Sequence, residues 1–192
     1  MTSQQRLILT TGISGSGKST LSRQLARIFS LPYLDYDTLT EPFLHRLHAQ
    51  YDQDLAYSQF CSKWRDESYA VFWNTIAETL HSGVSVIASA PCSQELRDEL
   101  FISRYKTQHI LWEVEVINIH LMPTVERLKE QIIGRNLGRD QFHQTNWDTF
   151  KAGLQTSHPL WDCDKVKEIE YADPEVPLAM SLRFLADLIL ES

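Results

Sequence analysis

The densest chemistry in the chain lies in one run, Gly12-Ile13-Ser14-Gly15-Ser16-Gly17-Lys18-Ser19, followed by Thr20 and Leu21. It satisfies G-x-x-x-x-G-K-[ST] in full, between the apolar run Leu7-Ile8-Leu9 and a stretch with Leu21, Leu25, Ile28 and Phe29 at helical spacing. A glycine-rich turn between strand and helix points backbone N–H groups and a helix N-terminus at a polyphosphate. Glycine permits the backbone angles and the close approach that a Cβ would block. Lys18 brings positive charge to the outer phosphates, and the Ser19 hydroxyl is the type of group that ligates magnesium there. The nucleotide-binding set is therefore Gly12, Ile13, Ser14, Gly15, Ser16, Gly17, Lys18, Ser19 and Thr20. The expected ligands are ATP and Mg²⁺.

A second group follows one helix later. Tyr33-Leu34-Asp35-Tyr36-Asp37 reads as a short strand ending in carboxylates, and a period of two puts Asp35 and Asp37 on one face. In parallel α/β sheets ligands sit beyond the strand C-termini, where the phosphate loop also lies. Asp35 is then expected to help hold magnesium with Ser19. Asp37, nearer the tip, is expected to take the proton of an attacking hydroxyl. Two loop acids near a helix capped by Asp37, Thr38 or Thr40 would explain the same residues without chemistry; the position after a phosphate loop favours the chemical reading.

The apolar run Val84-Ser85-Val86-Ile87-Ala88 ends at Ser89 with no carboxylate, which argues against hydrolases and switches that place a magnesium-ligating acid there. Ser89 either closes the loop as a small residue or holds a metal-bound water. Glu95 either faces substrate or sits in the first turn of a helix, where its charge suits the dipole. Arg135 and Arg139 flank Asn136-Leu137-Gly138, a sequence able to hinge. They suit a lid that neutralises charge on a transferred phosphoryl group. Arg127, Lys151 and His158 are further candidates near that lid.

These residues need positioning elements. A strand over Arg6–Thr11, a helix over Lys18–Phe29 and the short strand Tyr33–Asp37 make a βαβ-like beginning, which calls for a parallel sheet. Between Phe43 and Ser82 there is no Gly or Pro, and the apolar spacing predicts a helix over Glu41–Ala49, with Pro42 in its first turn, and a long one over Asp54–His81, stopped by Gly83. The aromatic residues of this stretch read as a buried helical face, with an aromatic substrate pocket as the alternative. Further on come a strand over Val84–Ala88, a helix over Ser93–Tyr105 and a strand over Glu113–Leu121. Pro123 opens the next helix, and a short one covers Trp147–Leu154. An edge strand over Lys165–Tyr171 and a terminal helix over Ala179–Leu190 complete the series.

Composition bounds the rest. With 192 residues the chain suits one α/β domain over 1–192. Eighteen Lys plus Arg against 25 Asp plus Glu give a net charge of −7, which offers no electrostatic reason to expect nucleic-acid binding. The polar start and the lack of any apolar run near the roughly 18 residues of a span point to a cytoplasmic, membrane-free protein. Cys61, Cys92 and Cys163 are scattered without zinc spacing and read as reduced thiols.

Taken in order, the glycine loop, Asp-x-Asp, the helical insertion, the apolar strand ending before Ala90-Pro91, and Arg135-Asn136…Arg139-Asp140 resemble the small P-loop kinases. That group includes gluconate, shikimate, adenylylsulfate and zeta-toxin-like kinases, the kinase half of polynucleotide kinases and the uncharacterised AAA-domain kinases. The likeness covers about Leu7 to Leu154. It implies a P-loop NTPase fold, a three-layer α/β/α arrangement with a five-stranded parallel sheet in the order 2-3-1-4-5. It also implies substrate-binding helices over about 38–82, a lid over about 123–155, and adenine near Tyr171–Pro177. The substrate signatures of gluconate and shikimate kinases are not evident. The reading is thus a Mg-dependent kinase that phosphorylates a hydroxyl of a small metabolite through Lys18, Asp37, Arg135 and Arg139. A nucleotide or polynucleotide kinase and a P-loop regulator without transfer activity are the rivals, and oligomeric state stays open.

Overall fold

A computed structural model describes residues 4–135, 147 and 158–190. Its centre is a five-stranded sheet of β1 (Arg6–Gly12), β2 (Tyr33–Asp35), β3 (Val86–Ser89), β4 (Glu115–Pro123) and β5 (Lys165–Tyr171). The order is β2-β3-β1-β4-β5, with every neighbouring pair parallel, as the resemblance implies. Strand periodicity explains the layers. Leu7, Leu9, Val86, Ala88 and Val116 face one core; Ile8, Ile87, Ile117 and Ile119 face another. The first core is covered by helices α4 (Arg65–His81) and α5 (Phe101–His109), and the second by α1 (Lys18–Phe29) and α7 (Val176–Leu190). No helix among the described residues is long and apolar enough to cross a membrane.

Several elements depart from the sequence expectation, each for a local reason. The second strand stops at Asp35, because the Asp35 carboxylate accepts the Thr38 N–H at 3.0 Å and caps helix α2 (Tyr36–Tyr51). Pro42 consequently lies inside that helix, beyond its first turn. The long helix expected over Asp54–His81 is two, α3 (Tyr57–Lys63) and α4, broken at Trp64, whose φ of −101° and ψ of 19° interrupt the ladder. The expected helix over Ser93–Tyr105 is a 3₁₀ turn at Glu95–Arg97, then an extended Asp98, then α5. The Asp162 carboxylate caps α5, accepting the N–H groups of Ile102 and Ser103 at 2.9 Å each. Pro123 ends β4 instead of opening a helix. Thr124 caps α6 (Val125–Arg135) through a 3.3 Å bond from the Arg127 N–H. The edge strand Lys165–Tyr171 forms as expected. The short helix expected over Trp147–Leu154 lies outside the described residues except at Trp147.

Candidate active site

The phosphate loop joins β1 to α1 at the C-terminal end of the sheet's central strand. Gly12 takes φ +135°, and a Cβ there would lie 2.5 Å from the Leu121 carbonyl oxygen. Gly17 caps α1 with φ +75° and no side-chain bond, which leaves the helix N-terminus to backbone N–H groups. The Lys18 ammonium donates to the Ile13 carbonyl at 2.7 Å, so the lysine folds over its own loop. Ser16 Oγ is buried and has no hydrogen-bond partner among the described residues. A loop of this form presents backbone donors to an anion at little reorganisation cost.

Across from the loop, Asp35 is the hub. Its Oδ2 accepts from Ser19 Oγ at 2.9 Å and from the Tyr33 and Ser89 hydroxyls at 2.7 Å each. Its Oδ1 accepts from the Thr38 N–H at 3.0 Å and the Thr38 hydroxyl at 2.9 Å. Burial works to raise the Asp35 pKa, yet the donors from Tyr33, Ser89, Thr38 and Ser19 hold it below the ordinary carboxylate value. Burial, with the Asp35 charge beside it, pushes the Tyr33 hydroxyl up to about 12. Ser89 therefore supports the carboxylate of the neighbouring strand.

Asp37 does not share a strand face with Asp35. It stands in the first turn of α2, half-buried, and lines the same cleft as Lys18, Ser19 and Asp35. That cleft is about 910 Å³. Tyr36, Glu41, Ala90, Pro91, Arg127, Tyr171 and Pro177 also line it. The structure thus brings Ser14 through Thr20, Asp35 and Asp37 together, with Gly12 and Ile13 at the root of the loop.

The arginines divide. Arg127 lines the cleft from α6, bonds Glu130 at 3.0 Å, and keeps its Nε buried without a partner among the described residues. The backbone of Arg135 ends α6; its side chain, and all of Arg139 and Lys151, lie outside the described residues. His158 pairs with Glu168 of β5 and is exposed. Glu95 is 6 % exposed, and Arg65 Nη2 donates to both of its oxygens at 2.9 and 2.7 Å. Arg65 also lies 4.0 Å over the Tyr69 ring. Neither Arg65 nor Tyr69 stands out as functional in the sequence. Yet the Tyr69 hydroxyl accepts the Cys92 N–H at 3.0 Å and so fixes the Ala90-Pro91-Cys92 turn that walls the cleft.

Beneath the loop, His120 and Asn118 of β4 meet Thr11 of β1. His120 Nδ1 lies 2.8 Å from Thr11 Oγ1, to which Asn118 Nδ2 donates at 2.8 Å. Burial lowers the His120 pKa to about 4, so the imidazole is neutral near pH 7. The alternation that places Ile117, Ile119 and Leu121 on one face puts Asn118 and His120 on the other.

Solved structures share this fold. A candidate kinase from Chloroflexus aurantiacus aligns over 96% of this chain and 98% of its own, with a TM-score of 0.70 and 19% identity. A gluconokinase from Sinorhizobium meliloti aligns over 98% of each chain, with a TM-score of 0.53 and 19% identity. A shikimate kinase from Bacteroides thetaiotaomicron covers 96% of this chain and 98% of its own, at 0.51 and 16%. At these identities the likeness is one of fold, that of the small P-loop kinases. No curated protein matches the chain. Residues 7–157 match the family described as the AAA domain, and the chain belongs to that family.

Proposed function

We propose that the protein is an ATP-dependent kinase that transfers the γ-phosphoryl group to a hydroxyl of a small metabolite in the cytoplasm. The observation that carries this reading is the Ser19–Asp35 hydrogen bond of 2.9 Å. It ties the tip of β2 to the phosphate loop and so places Asp37 in the cleft that holds Lys18. The loop amides and Lys18 would hold the β- and γ-phosphates. Adenine would lie toward Tyr171–Pro177, where Tyr171, Pro174 and Pro177 line the cleft.

Ser19 and Asp35 offer the hard oxygen donors that Mg²⁺ takes, and they already touch; bound there, the ion would neutralise charge on the phosphate oxygens. Asp35, held below the ordinary carboxylate value by its hydrogen bonds despite its burial, is a poor proton acceptor. Asp37 is therefore assigned the base. As the acceptor oxygen bonds to the γ-phosphorus and the bond to the β,γ-bridging oxygen breaks, Asp37 takes the acceptor's proton and ADP leaves. Arg127 is placed to neutralise charge from α6. Arg135 and Arg139 are assigned to a lid over about 123–155 that closes on the transfer.

The test is to incubate the protein with ATP, Mg²⁺ and a metabolite extract and to search for compounds heavier by one phosphoryl group. Asp37→Ala is expected to bind ATP as the wild type does and to lose at least about 10²-fold in transfer rate. Wild-type turnover in that variant would remove Asp37 as the base. Absence of transfer to any acceptor in the wild type would leave a nucleotide-binding regulator in place of a kinase.

A further inference from the structure

Tyr171 is the last residue of β5 and lies beyond the residues that match the family. It is 5 % exposed, and its two polar ends reach different elements. The hydroxyl donates to the Ser16 carbonyl in the phosphate loop at 2.7 Å. The backbone carbonyl accepts the Thr124 N–H at 2.8 Å, and Thr124 caps α6. Gln131, one of the α6 residues that line the cleft, stands 3.4 Å from the same hydroxyl. Ile132 and Leu128 of that helix press on Gly15, where a Cβ would come within 2.9 and 3.1 Å of them.

A peptide group is planar and trans, so its C=O and N–H point in opposite directions. Holding the Ser16 carbonyl on the Tyr171 side fixes the direction of the Gly17 N–H, away from β5. Gly17, with φ +75°, lacks the Cβ that would itself restrict this peptide. The Tyr171 hydroxyl comes within 3.3 Å of the position a Gly17 Cβ would take, so the contact also depends on glycine there.

We propose that Tyr171 is a positioning residue for the phosphate loop: its hydroxyl presets the Ser16–Gly17 peptide for phosphate and ties that setting to α6. The proposal rests on the reading of the loop as a nucleotide site. Tyr171 also borders the region assigned to adenine, so the experiment must separate its hydroxyl from its ring. ADP and inorganic triphosphate, which has no base, are the two probes, each titrated calorimetrically against wild type, Tyr171→Phe and Tyr171→Leu.

Tyr171→Phe keeps the ring in its apolar surroundings and is expected to shift Tm by only about 2–4 °C. It is expected to weaken ADP and triphosphate by the same factor, about fivefold to tenfold, the size of one lost hydrogen bond. Tyr171→Leu should weaken triphosphate no further than Phe does. Unchanged affinity for both probes in Tyr171→Phe overturns the proposal. So does a loss for ADP alone, or a triphosphate loss that appears only in the Leu variant, since either assigns the effect to the ring. A wild type that binds neither probe removes the nucleotide site itself, a failure distinct from these.

Discussion

On the phosphate-loop side of the cleft, the left-handed backbone angles belong to glycines, with φ of 135° at Gly12, 86° at Gly15 and 75° at Gly17. In the segment that follows β3, beside Pro91, the same region of backbone space is taken by Cys92 at 50°. The loop wall is made of main chain, and neighbouring atoms approach where a Cβ would stand. The other wall is made of side chains. Cys92 has its thiol fully buried, and the bond from its N–H to the Tyr69 hydroxyl offsets the strain. Arg65, half-buried and paired with the buried Glu95, lies over the Tyr69 ring. One wall follows from local backbone geometry; the other depends on contacts between distant residues.

That contrast can be broken from the loop side first. Gly12→Ala drives a Cβ toward the Leu121 carbonyl at an angle alanine resists, and should cost about 3–4 kcal/mol of stability, read from the urea midpoint. Next, Arg65→Ala leaves Glu95 buried without its cation and should cost about 3 kcal/mol. Joining Arg65→Met to Glu95→Leu should recover most of that loss, and a double variant no better than the single one would show that the pair itself carries the wall.

The buried His120 gives the loop wall a pH signature. Below pH 6.5 the unfolded chain protonates this imidazole, while the folded chain refuses the proton down to about pH 4. The unfolded state thus binds more protons in that window, so stability is full above 6.5 and declines by up to about 3 kcal/mol as pH falls to 4. His120→Gln should flatten the decline in denaturation curves collected across that range. The smallest effect is expected at Cys92→Gly, where relief of the left-handed angle and loss of a buried thiol nearly cancel, within about 1 kcal/mol in the same urea assay.

Legibility in the sequence follows the same division. The phosphate loop, β1, α1 and the edge strand β5 could be read directly because neighbouring residues determine them. Asp35 and Asp37 were legible as neighbours beside the phosphate loop, and both line its cleft, but their geometry was not legible. Period-two reasoning missed that an aspartate three residues before a threonine can cap a helix, which turned Asp37 into a first-turn helix residue. Trp64 breaks a helix with no glycine or proline to announce it. The Arg65–Glu95 bond spans 30 residues and the Asp162 cap on α5 spans 60, and no local pattern joins partners at such distances. The expectation of a lid at Arg135 and Arg139 rests on spacing and charge alone and concerns side chains outside the described residues.

The two outer strands have a consequence of a different kind. A sheet rim with unpaired backbone groups invites a second chain to add a strand and seed aggregation. Here one rim, β2, is three residues long and leads at once into a helix. The other, β5, runs Lys-Val-Lys-Glu-Ile-Glu-Tyr, with its first residues exposed and charges at four of seven positions. A strand too short and a strand too charged are both poor templates, so this fold protects its rims from fibril-like pairing without closing the sheet into a barrel.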